Sequence, residues 1–599
     1  MKQDKAVLLE GLKAKVGEVQ GKIEAEKGRI KGLATKTGSQ IKALENDDRM
    51  VYLNLRAYTE ERLIELAQLF GSPFFVKCDL VYKKTGKQRS LYFAKNSFIE
   101  EGIYSWVAPV SSVRFESPGK VTYKLPNGSV EEAMMVKKEQ YMIVDGKIMF
   151  FATETVDSPR ELIHQEHLAS RKSGFMLPEI VALMEKAQDA VIRAHHKGSF
   201  VISGPAGSGK TTLALHRVAY LIQSPDSAHL YHDNSVIVFV QDNGTKDYFS
   251  HLLPELGINR VRITTFFEWA DEILDLKGAK YVPTLDLAGE GAETFEYEKL
   301  KILRGTGSPK WSGNYVAYLD QAYKKLPPAH AALWLEQKKT GAIDRIDLTL
   351  LMKALHKTEG GVKVIRNYQS YKNGKYSPIK RTIPVEYRLM IIDEFQNYMP
   401  EQLAVLKSCL SEETQSAVFV GDMAQQVYRG TIRSWEQIGE VVPLDRNVRL
   451  HKVYRNTRQI LEYIRGLGYA VEIPEGIKDG PKVAEKDVDV MGARVHVAEL
   501  IKSNPGKMAG LIFADARDIE FYKKEYDGSE SVRIATMIET QGVEFDITCL
   551  IGMPKSGGET QHMATLSNDQ IKEEEKIRKD LMYVALTRAM SEMHVLRIL

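Results

Sequence analysis

Apolar side chains recur with a seven-residue period near the start of the chain. Between residues 5 and 45, one heptad position holds Leu9, Val16, Ile23, Ile30 and Leu44, and the other holds Leu12, Val19 and Leu33. Such a repeat favours a helix that packs along one seam. A second helical pattern covers about 50–70, after a predicted polar turn at residues 45–48. We therefore expect residues 1–70 to form an antiparallel helical hairpin, a short coiled coil. A single frayed helix is the alternative.

Residues 71–150 change to the two-residue period that is typical of strands. Two dipeptides in this stretch, Asn127-Gly128 and Asp145-Gly146, are turn signals between β-rich runs. They suit tight hairpin turns because these residues tolerate positive φ. The sequence therefore predicts a small β-rich module, with Trp106 in its core.

Strand patterns alternate with helical ones from about residue 176 onwards. Strands are predicted near 200–203, 236–240, 389–392 and 417–420, and this rhythm favours a parallel sheet. Residues 271–386 lack the rhythm and are predicted to be a mostly helical insertion. Strands resume near 510–514, 533–537 and 547–552 in a second α/β unit. The expected domains are 1–70, 71–150, 151–270 together with 387–440, the inserted 271–386, and 441–599.

A phosphate-binding motif follows the first predicted strand. The run from Gly204 to Thr211 fits G-x-x-x-x-G-K-[ST] in the strand–loop–helix setting that the motif requires. Its N–H groups and the helix N-terminus suit a polyphosphate. Lys210 would hold the β- and γ-phosphates, and Thr211 would bind Mg²⁺. The alternative is a glycine-rich turn with a chance lysine. The residues expected to contact the nucleotide here are Gly204, Ala206, Gly207, Ser208, Gly209, Lys210, Thr211 and Thr212.

Other strand ends carry polar groups that suit the same chemistry. The apolar run 389–392 ends in Asp393 and Glu394. Asp393 is a candidate Mg²⁺ ligand, and Glu394 a candidate base for the attacking water; a solvated strand end is the alternative. Gln425, after the strand at 417–420, suits a γ-phosphate sensor. Arg455 and Arg588 are candidates to stabilise charge on the γ-phosphate, although surface arginines are common.

Composition and charge limit the remaining possibilities. A chain of 599 residues needs several cores. With 27% charged and 43% hydrophobic residues and no apolar run near the ~20 residues of a membrane span, we expect a soluble cytoplasmic protein. Its three cysteines lie far apart without metal-ligand spacing, which favours a reducing compartment. The net charge of +3 does not indicate nucleic acid, so any such surface must be local.

One segment of the insertion is locally basic and contains no acid. Lysines and arginines there would pair with phosphates, and tyrosines would stack on bases. The candidates for contact with nucleic acid or a partner are Lys363, Arg366, Tyr371, Lys372, Lys375, Lys380 and Arg381. A plain exposed β-hairpin that turns at Asn373-Gly374 is the alternative.

The order of the motifs resembles the superfamily 1 helicase motors of the UvrD/Rep type. The matching segments begin at Gly204, Ile391, Val420, Tyr454, Thr540 and Tyr583. The resemblance implies two RecA-like lobes with ATP and Mg²⁺ between them, and Arg455 and Arg588 at the γ-phosphate. It also implies that Gln188 contacts the adenine, Tyr454 stacks on it, and Glu544, beside Gly542, binds the ribose. In the family, a tryptophan in the motif that begins at Val420 here stacks on single-stranded DNA. This chain lacks that tryptophan, which leaves Tyr428 to stack on a nucleic-acid base.

A narrower resemblance is to HelD, the bacterial RNA polymerase-recycling ATPases, and their helicase IV-like relatives. It rests on the segments 104–110, 137–141, 215–221 and 252–257. It implies an N-terminal hairpin that enters a polymerase channel and an insertion that acts on the nucleic-acid cleft. Three hypotheses follow. The chain releases nucleic acid from RNA polymerase, it is a 3′→5′ helicase or translocase on free DNA, or it is a nucleotide-gated switch in a larger assembly.

Overall fold

The fold was taken from a computed structural model of the chain. It describes residues 2–41, 46–82, 85–124, 129–155, 186–205, 207–256, 258, 260–285, 287–307, 309–372, 375–450, 456–473, 477–514, 519–529, 531–553 and 566–599. The chain divides into two compact units. The first comprises Met1–Ala194, His216–His229 and Leu252–Asn259, and the second comprises His195–Leu215, Leu230–His251 and Arg260–Leu599.

The first unit begins with two long helices, α1 (Lys2–Ile41) and α2 (Asn46–Gly71). The predicted seam of α1 is buried from Leu12 to Ile30 and shares a core with Leu66 and Leu69 of α2. Gln20 donates its side-chain amide to the Phe70 carbonyl oxygen at 2.9 Å. The two helices therefore pack side by side. Because α2 begins at residue 46, residues 46–48 are helical rather than a turn, and residue 45 lies outside the described residues.

A six-stranded sheet follows in the same unit. Its strands are β1 (Val76–Val81), β2 (Gln88–Ala94), β3 (Ile103–Ser105), β4 (Gly119–Lys124), β5 (Val130–Val144) and β6 (Lys147–Thr155). They run in the order β3-β2-β1-β5-β4, and β6 pairs with β5. Asp145 and Gly146 join β5 to β6 with φ of +48° and +73°, as the turn signal requires. Trp106 is fully buried, as predicted; Asn127 and Gly128 lie outside the described residues.

The remaining elements follow from residue 186 onwards. The helices are α3 (Lys186–Ile192), α4 (Lys210–Gln223), α5 (Asn243–Glu255), α6 (Phe266–Leu274), α7 (Ala292–Arg304), α8 (Tyr315–Ala322), α9 (Pro328–Thr340), α10 (Arg345–Glu359), α11 (Pro400–Lys407), α12 (Arg458–Gly466), α13 (Val490–Ser503), α14 (Ile519–Glu525) and α15 (Asn568–Leu586). The strands are β7 (Ser199–Ser203), β8 (Val236–Val240), β9 (Arg262–Thr265), β10 (Lys280–Tyr281), β11 (Ala342–Ile343), β12 (Lys363–Lys372), β13 (Lys375–Pro384), β14 (Leu389–Asp393), β15 (Ser416–Gly421), β16 (Asn447–Arg449), β17 (Ala484–Val488), β18 (Ala509–Phe513), β19 (Val532–Thr536), β20 (Phe545–Ile551) and β21 (Ala589–Ile598).

The second unit contains two parallel sheets, as the alternating pattern predicts. The first sheet has the order β16-β7-β15-β14-β8-β9. Strands β8, β14 and β15 are buried along their whole length, which explains their continuous apolar sequences. The register pairs Gly421 with Ser203 and Asp393 with Val420, so the ends of β7, β14 and β15 meet at one edge. Ligands of open parallel sheets bind at that edge.

The predicted insertion packs directly on this sheet. Four helices, α7 to α10, make up less than half of residues 271–386, and the region ends in the long hairpin of β12 and β13, so it is less helical than predicted. Phe295, Leu300 and Leu350 share one apolar core with Ile237 and Phe419 of the sheet. The insertion is therefore continuous with the first sheet in packing.

The second parallel sheet has the order β17-β21-β20-β18-β19. Apolar clusters cover it, one with Ile460 and Ile464 of α12 and another with Val497 of α13. The three cysteines are unbridged and buried. Among the helices that the structure describes, none has the length and apolarity of a membrane span.

Candidate functional site

A tight glycine-rich loop joins the end of β7 to the start of α4. Gly207 and Gly209 have φ of +73° and +82°, which glycine adopts without strain. A Cβ at Gly204 would lie 2.5 Å from the Leu450 carbonyl oxygen, so the backbones approach too closely for any side chain. Such a loop suits an anion, because its N–H groups can turn inward and α4 adds the positive end of its dipole. Ala206 lies outside the described residues.

Two side chains of this loop are held by its own backbone. Lys210 is 8% exposed, and its Nζ donates to the Pro205 carbonyl oxygen at 3.0 Å. Ser208 Oγ donates to the same oxygen at 2.8 Å. The ammonium group is thus kept inside the loop, beside the N–H groups. Thr212 follows on α4 and is half-buried.

The first turn of α4 meets the end of β14 at a pair of oxygen atoms. Thr211 Oγ1 donates to Asp393 Oδ1 at 3.1 Å, across 182 residues of sequence. Burial raises the pKa of Asp393 to about 8, Glu394 adds to the rise, and the Thr211 hydrogen bond and Lys210 oppose it. A cation would stabilise the ionised carboxylate, and Mg²⁺ prefers oxygen ligands. These two side chains therefore fit a magnesium ion.

Glu394 adopts a backbone conformation that is uncommon for a residue with a side chain. Its φ of +50° and ψ of +42° lie in the left-handed region, which costs on the order of 1 kcal/mol. Gln396 Nε2 donates to its carboxylate, and Gln396 Oε1 accepts the Asp422 N–H at 3.0 Å. The carboxylate is therefore aimed by a neighbour that is itself fixed to the end of β15.

Gln425 lies in the loop after β15 and is buried. Its side-chain Nε2 donates to Asp422 Oδ2 at 2.8 Å, and its backbone carbonyl oxygen lies 3.5 Å from Gln396 Nε2. Gln396 thus joins Glu394 to the loop that carries Gln425. Gln396 is not among the residues predicted for the site, because a single amide near two carboxylates is a weak signal in a sequence.

Three other predicted residues lie in loops of the second sheet. A Cβ at Gly542, whose φ is +76°, would lie 3.5 Å from Thr245 Oγ1 at the start of α5. Glu544 is half-buried. Arg588 is 5% exposed, and its Nη1 donates to the Val543 carbonyl oxygen at 3.2 Å. The Arg588 guanidinium is therefore bound to the backbone of the loop that carries Gly542 and Glu544.

Tyr454 and Arg455 lie outside the described residues. The next residue, Asn456, is buried and donates its amide to the two carbonyl oxygens that flank Arg588, at 3.1 and 2.6 Å. This motif is thereby tied to the backbone on both sides of Arg588, where α15 ends and β21 begins. Gln188 is half-buried on α3, in the first unit.

The predicted basic segment forms the hairpin of β12 and β13, so the hairpin alternative describes its fold. Its register runs from Lys363 opposite Pro384 to Lys372 opposite Lys375. The side chains of Lys363, Arg366, Lys380 and Arg381 are exposed, whereas those of Tyr371, Lys372 and Lys375 lie outside the described residues. None of the described side chains of this two-stranded ribbon is fully buried.

Tyr428, the predicted stacking residue, is only partly accessible. It is half-buried, and the Arg345 guanidinium lies 5.1 Å from the centre of its ring. Burial raises the pKa of Tyr428. One face of the ring is thus already covered by a cation, which leaves less room for a base than the sequence suggests.

Comparison with known proteins adds a family context. The profile of the UvrD/REP helicase N-terminal domain matches residues 308–430. The ATP-dependent DNA helicase PcrA of Leuconostoc citreum is 22% identical over 293 residues, which cover 44% of this chain and 36% of that protein. The C-terminal domain of a possible DNA helicase from Lactobacillus plantarum is 14% identical and matches with a TM-score of 0.18, over 24% of this chain and 88% of that one. This TM-score is too low to bear on the fold.

The first two matches show that part of this chain is similar to UvrD-like helicases. The profile match includes Asp393, Glu394 and Gln425, and it begins after the loop of Lys210. Since the alignment with PcrA spans about a third of that protein's length, the two chains are similar only in part.

Proposed function

We propose that this chain is an ATP-dependent superfamily 1 motor that remodels nucleic-acid complexes. The observation that carries the proposal is the 3.1 Å hydrogen bond between Thr211 and Asp393, which joins a phosphate-binding loop to a carboxylate at one sheet edge. ATP with Mg²⁺ is the ligand that such a donor set suits. In this proposal the two parallel sheets are the two RecA-like lobes of the motor.

Each polar group at the sheet edge has a task in this proposal. The loop N–H groups and Lys210 bind the β- and γ-phosphates. Thr211 and Asp393 hold Mg²⁺, which supplies charge neutralisation when it is bound. Glu394 orients the attacking water and accepts its proton. Because Gln396 fixes the direction of the Glu394 carboxylate, the base does not have to be ordered at the moment of reaction.

Residues of the second sheet complete the nucleotide site. Arg588 exchanges its backbone carbonyl partners for γ-phosphate oxygens, and Arg455 acts beside it. Gln425 senses the γ-phosphate through its link to Gln396. The base and ribose contacts fall to Tyr454, Gly542 and Glu544. Loss of phosphate then frees the arginines, and this change in partners alters the arrangement of the two sheets.

The ATP site is tested by Lys210→Ala and Glu394→Gln. We expect each variant to lose at least ~100-fold in ATP turnover, because a phosphate-binding cation and a general base each contribute that much. Lys324→Ala and Glu575→Gln are matched controls at exposed positions and should keep wild-type turnover. Substantial turnover in both site variants would refute the assignment.

RNA polymerase is the proposed partner from which nucleic acid is released. The packed helices α1 and α2 and the β-module beside them support this, since they provide a second unit besides the motor. In processive UvrD-type helicases a large subdomain interrupts the second lobe just before the motif that begins at Thr540. Here α14 ends at Glu525 and β19 begins at Val532, which leaves no room for such a subdomain. ATP turnover should rise with bacterial core RNA polymerase and less with single-stranded DNA.

A translocase on free DNA is the second candidate, and the similarity to PcrA favours it. It predicts the opposite order, with strong stimulation by single-stranded DNA alone. The same assay separates the two, with Lys210→Ala as the blank in every arm. Slow ATP turnover that neither RNA polymerase nor single-stranded DNA raises would favour the third hypothesis, a nucleotide-gated switch.

A further inference from the structure

The hairpin of β12 and β13 is a free-standing ribbon. Its two ten-residue strands form a two-stranded sheet of their own, with ten residue pairs in antiparallel register. At about 3.4 Å per residue it extends for roughly 30 Å. Isolated two-stranded hairpins are marginally stable in water. One face of the ribbon is exposed at every described side chain, and on the other face Val364, Ile379 and Ile383 are only half-buried. A ribbon of this length with so little burial calls for a reason beyond folding.

Charge along the ribbon has one sign. Residues 363–385 contain six lysines and arginines and no aspartate or glutamate. Four of the six have described side chains, and all four are exposed. They lie on both faces, because Lys363 and Lys380 alternate with Arg366 and Arg381 along the two strands. A ribbon that is basic on both faces can contact anionic groups on two sides, whereas a sheet that is basic on one face binds a single flat surface.

Two of these cations oppose each other directly. Arg366 is the cross-strand partner of Arg381, and like charges at opposed positions destabilise a sheet. Neither guanidinium forms an ion pair with a carboxylate among the described residues. Tyr368 lies on the same face, with its ring centre 5.7 Å from the Arg381 guanidinium. The face thus concentrates positive charge that a bound anion would neutralise.

We propose that this ribbon binds duplex DNA by its phosphate backbones. A two-stranded ribbon is narrow enough for the major groove. Cations on both faces suit a groove because phosphates line it on both sides, whereas a single strand would engage one face. The inference deepens the proposed function, on which it rests, because it assigns the surface that holds the nucleic acid near the ATP-driven sheets.

The test is duplex binding by the full chain as a function of salt, with a fluorescent 20-base-pair DNA of mixed sequence. Arg366→Ala with Arg381→Ala should weaken binding about tenfold and lower the slope of log K against log salt by about 2, since each lost phosphate contact contributes about 0.9. Lys324→Ala with Lys325→Ala removes the same charge from exposed positions elsewhere and should bind as wild type. Arg366→Lys with Arg381→Lys should restore most of the affinity.

Three other outcomes would count against duplex binding by the ribbon. If both double alanine variants lost the same amount of duplex affinity, the effect would come from the net charge of the chain and not from the position of the arginines on the ribbon. A loss confined to single-stranded DNA of the same length would overturn the duplex assignment. No duplex binding by the wild type at low salt would favour an acidic protein surface instead. ATP turnover without DNA is measured on the same wild-type sample. If the chain binds duplex DNA through the ribbon but hydrolyses no ATP, the proposed function is refuted and the ribbon proposal is not.

Discussion

At the scale of single residues, one side-chain amide sets the geometry of the candidate ATP site. Gln396 donates to the Glu394 carboxylate and accepts the Asp422 N–H. It therefore couples the base candidate at the end of β14 to the loop after β15. Gly421 lies directly against this amide, since a Cβ there would collide with Gln396 Oε1. The glycine is thus required by close approach.

The substitution Gly421→Ala tests this arrangement. The added methyl group should displace the Gln396 amide, lower ATP turnover by roughly 10- to 100-fold, and destabilise the fold by about 1–3 kcal/mol, as overpacking does. Steady-state ATP hydrolysis and urea unfolding measure the two effects. Gly466→Ala, in α12 with open space around it, is the control and should be neutral or slightly stabilising. Wild-type turnover in Gly421→Ala would show that the amide does not position Glu394.

At the scale of elements, a buried ion cluster joins three helices of the insertion. Lys299 of α7 is fully buried, and its Nζ contacts Asp344 at 2.6 Å and Asp347 at 2.9 Å, before and within α10. Gln337 of α9 accepts from the same ammonium at 2.7 Å. Buried charges of this kind are stable only when each is paired and hydrogen-bonded. The cluster therefore fixes the relative positions of these helices.

Removing the central cation should loosen the insertion. Lys299→Met keeps the length of the side chain and leaves two carboxylates buried without their cation, which costs about 3–5 kcal/mol. Hydrogen exchange of α7, α9 and α10 measures the effect locally, which is preferable because a chain of several cores need not unfold in one step. Lys301→Met, on the exposed side of the same helix, should leave exchange unchanged. A loss below 1 kcal/mol at position 299 would mean that protons or water replace the ammonium.

Sequence patterns predicted the strands more closely than they predicted contacts between side chains that are far apart in sequence. β8, β14 and β15 have continuous apolar sequences because both faces are buried, so their bounds came within one or two residues. The ion cluster of Lys299 has no local pattern, since its partners lie about 45 residues away in sequence. The same holds for the Thr211–Asp393 pair, which motif recognition found and periodicity did not. The sequence of the hairpin after α10 is consistent with two interpretations, because an alternating strand pattern and a cluster of positive charge coexist in it.

At the scale of the whole second unit, helix α15 connects the two parallel sheets. Its Asp580 accepts the backbone N–H of Gln426 at 3.0 Å, and its Lys576 donates to the Met423 carbonyl oxygen at 3.0 Å. Both partners belong to the loop that carries Gln425. The other end of this connection is Arg588, two residues beyond the end of α15. In the proposed function, a change at Gln425 reaches Arg588 through this one helix.

Asp580→Ala breaks this connection at one buried acceptor. The Gln426 N–H then has no partner, which costs about 1–3 kcal/mol, and its hydrogen exchange should accelerate about tenfold or more, since 1.4 kcal/mol is a factor of ten. Glu575→Ala, on the exposed side of α15, should leave that exchange rate as it is. If α15 transmits the state of the nucleotide, ATP turnover of Asp580→Ala should fall while nucleotide affinity is kept, because the binding residues on the first sheet are untouched. Equal losses in turnover and affinity would instead assign Asp580 to the folding of the loop.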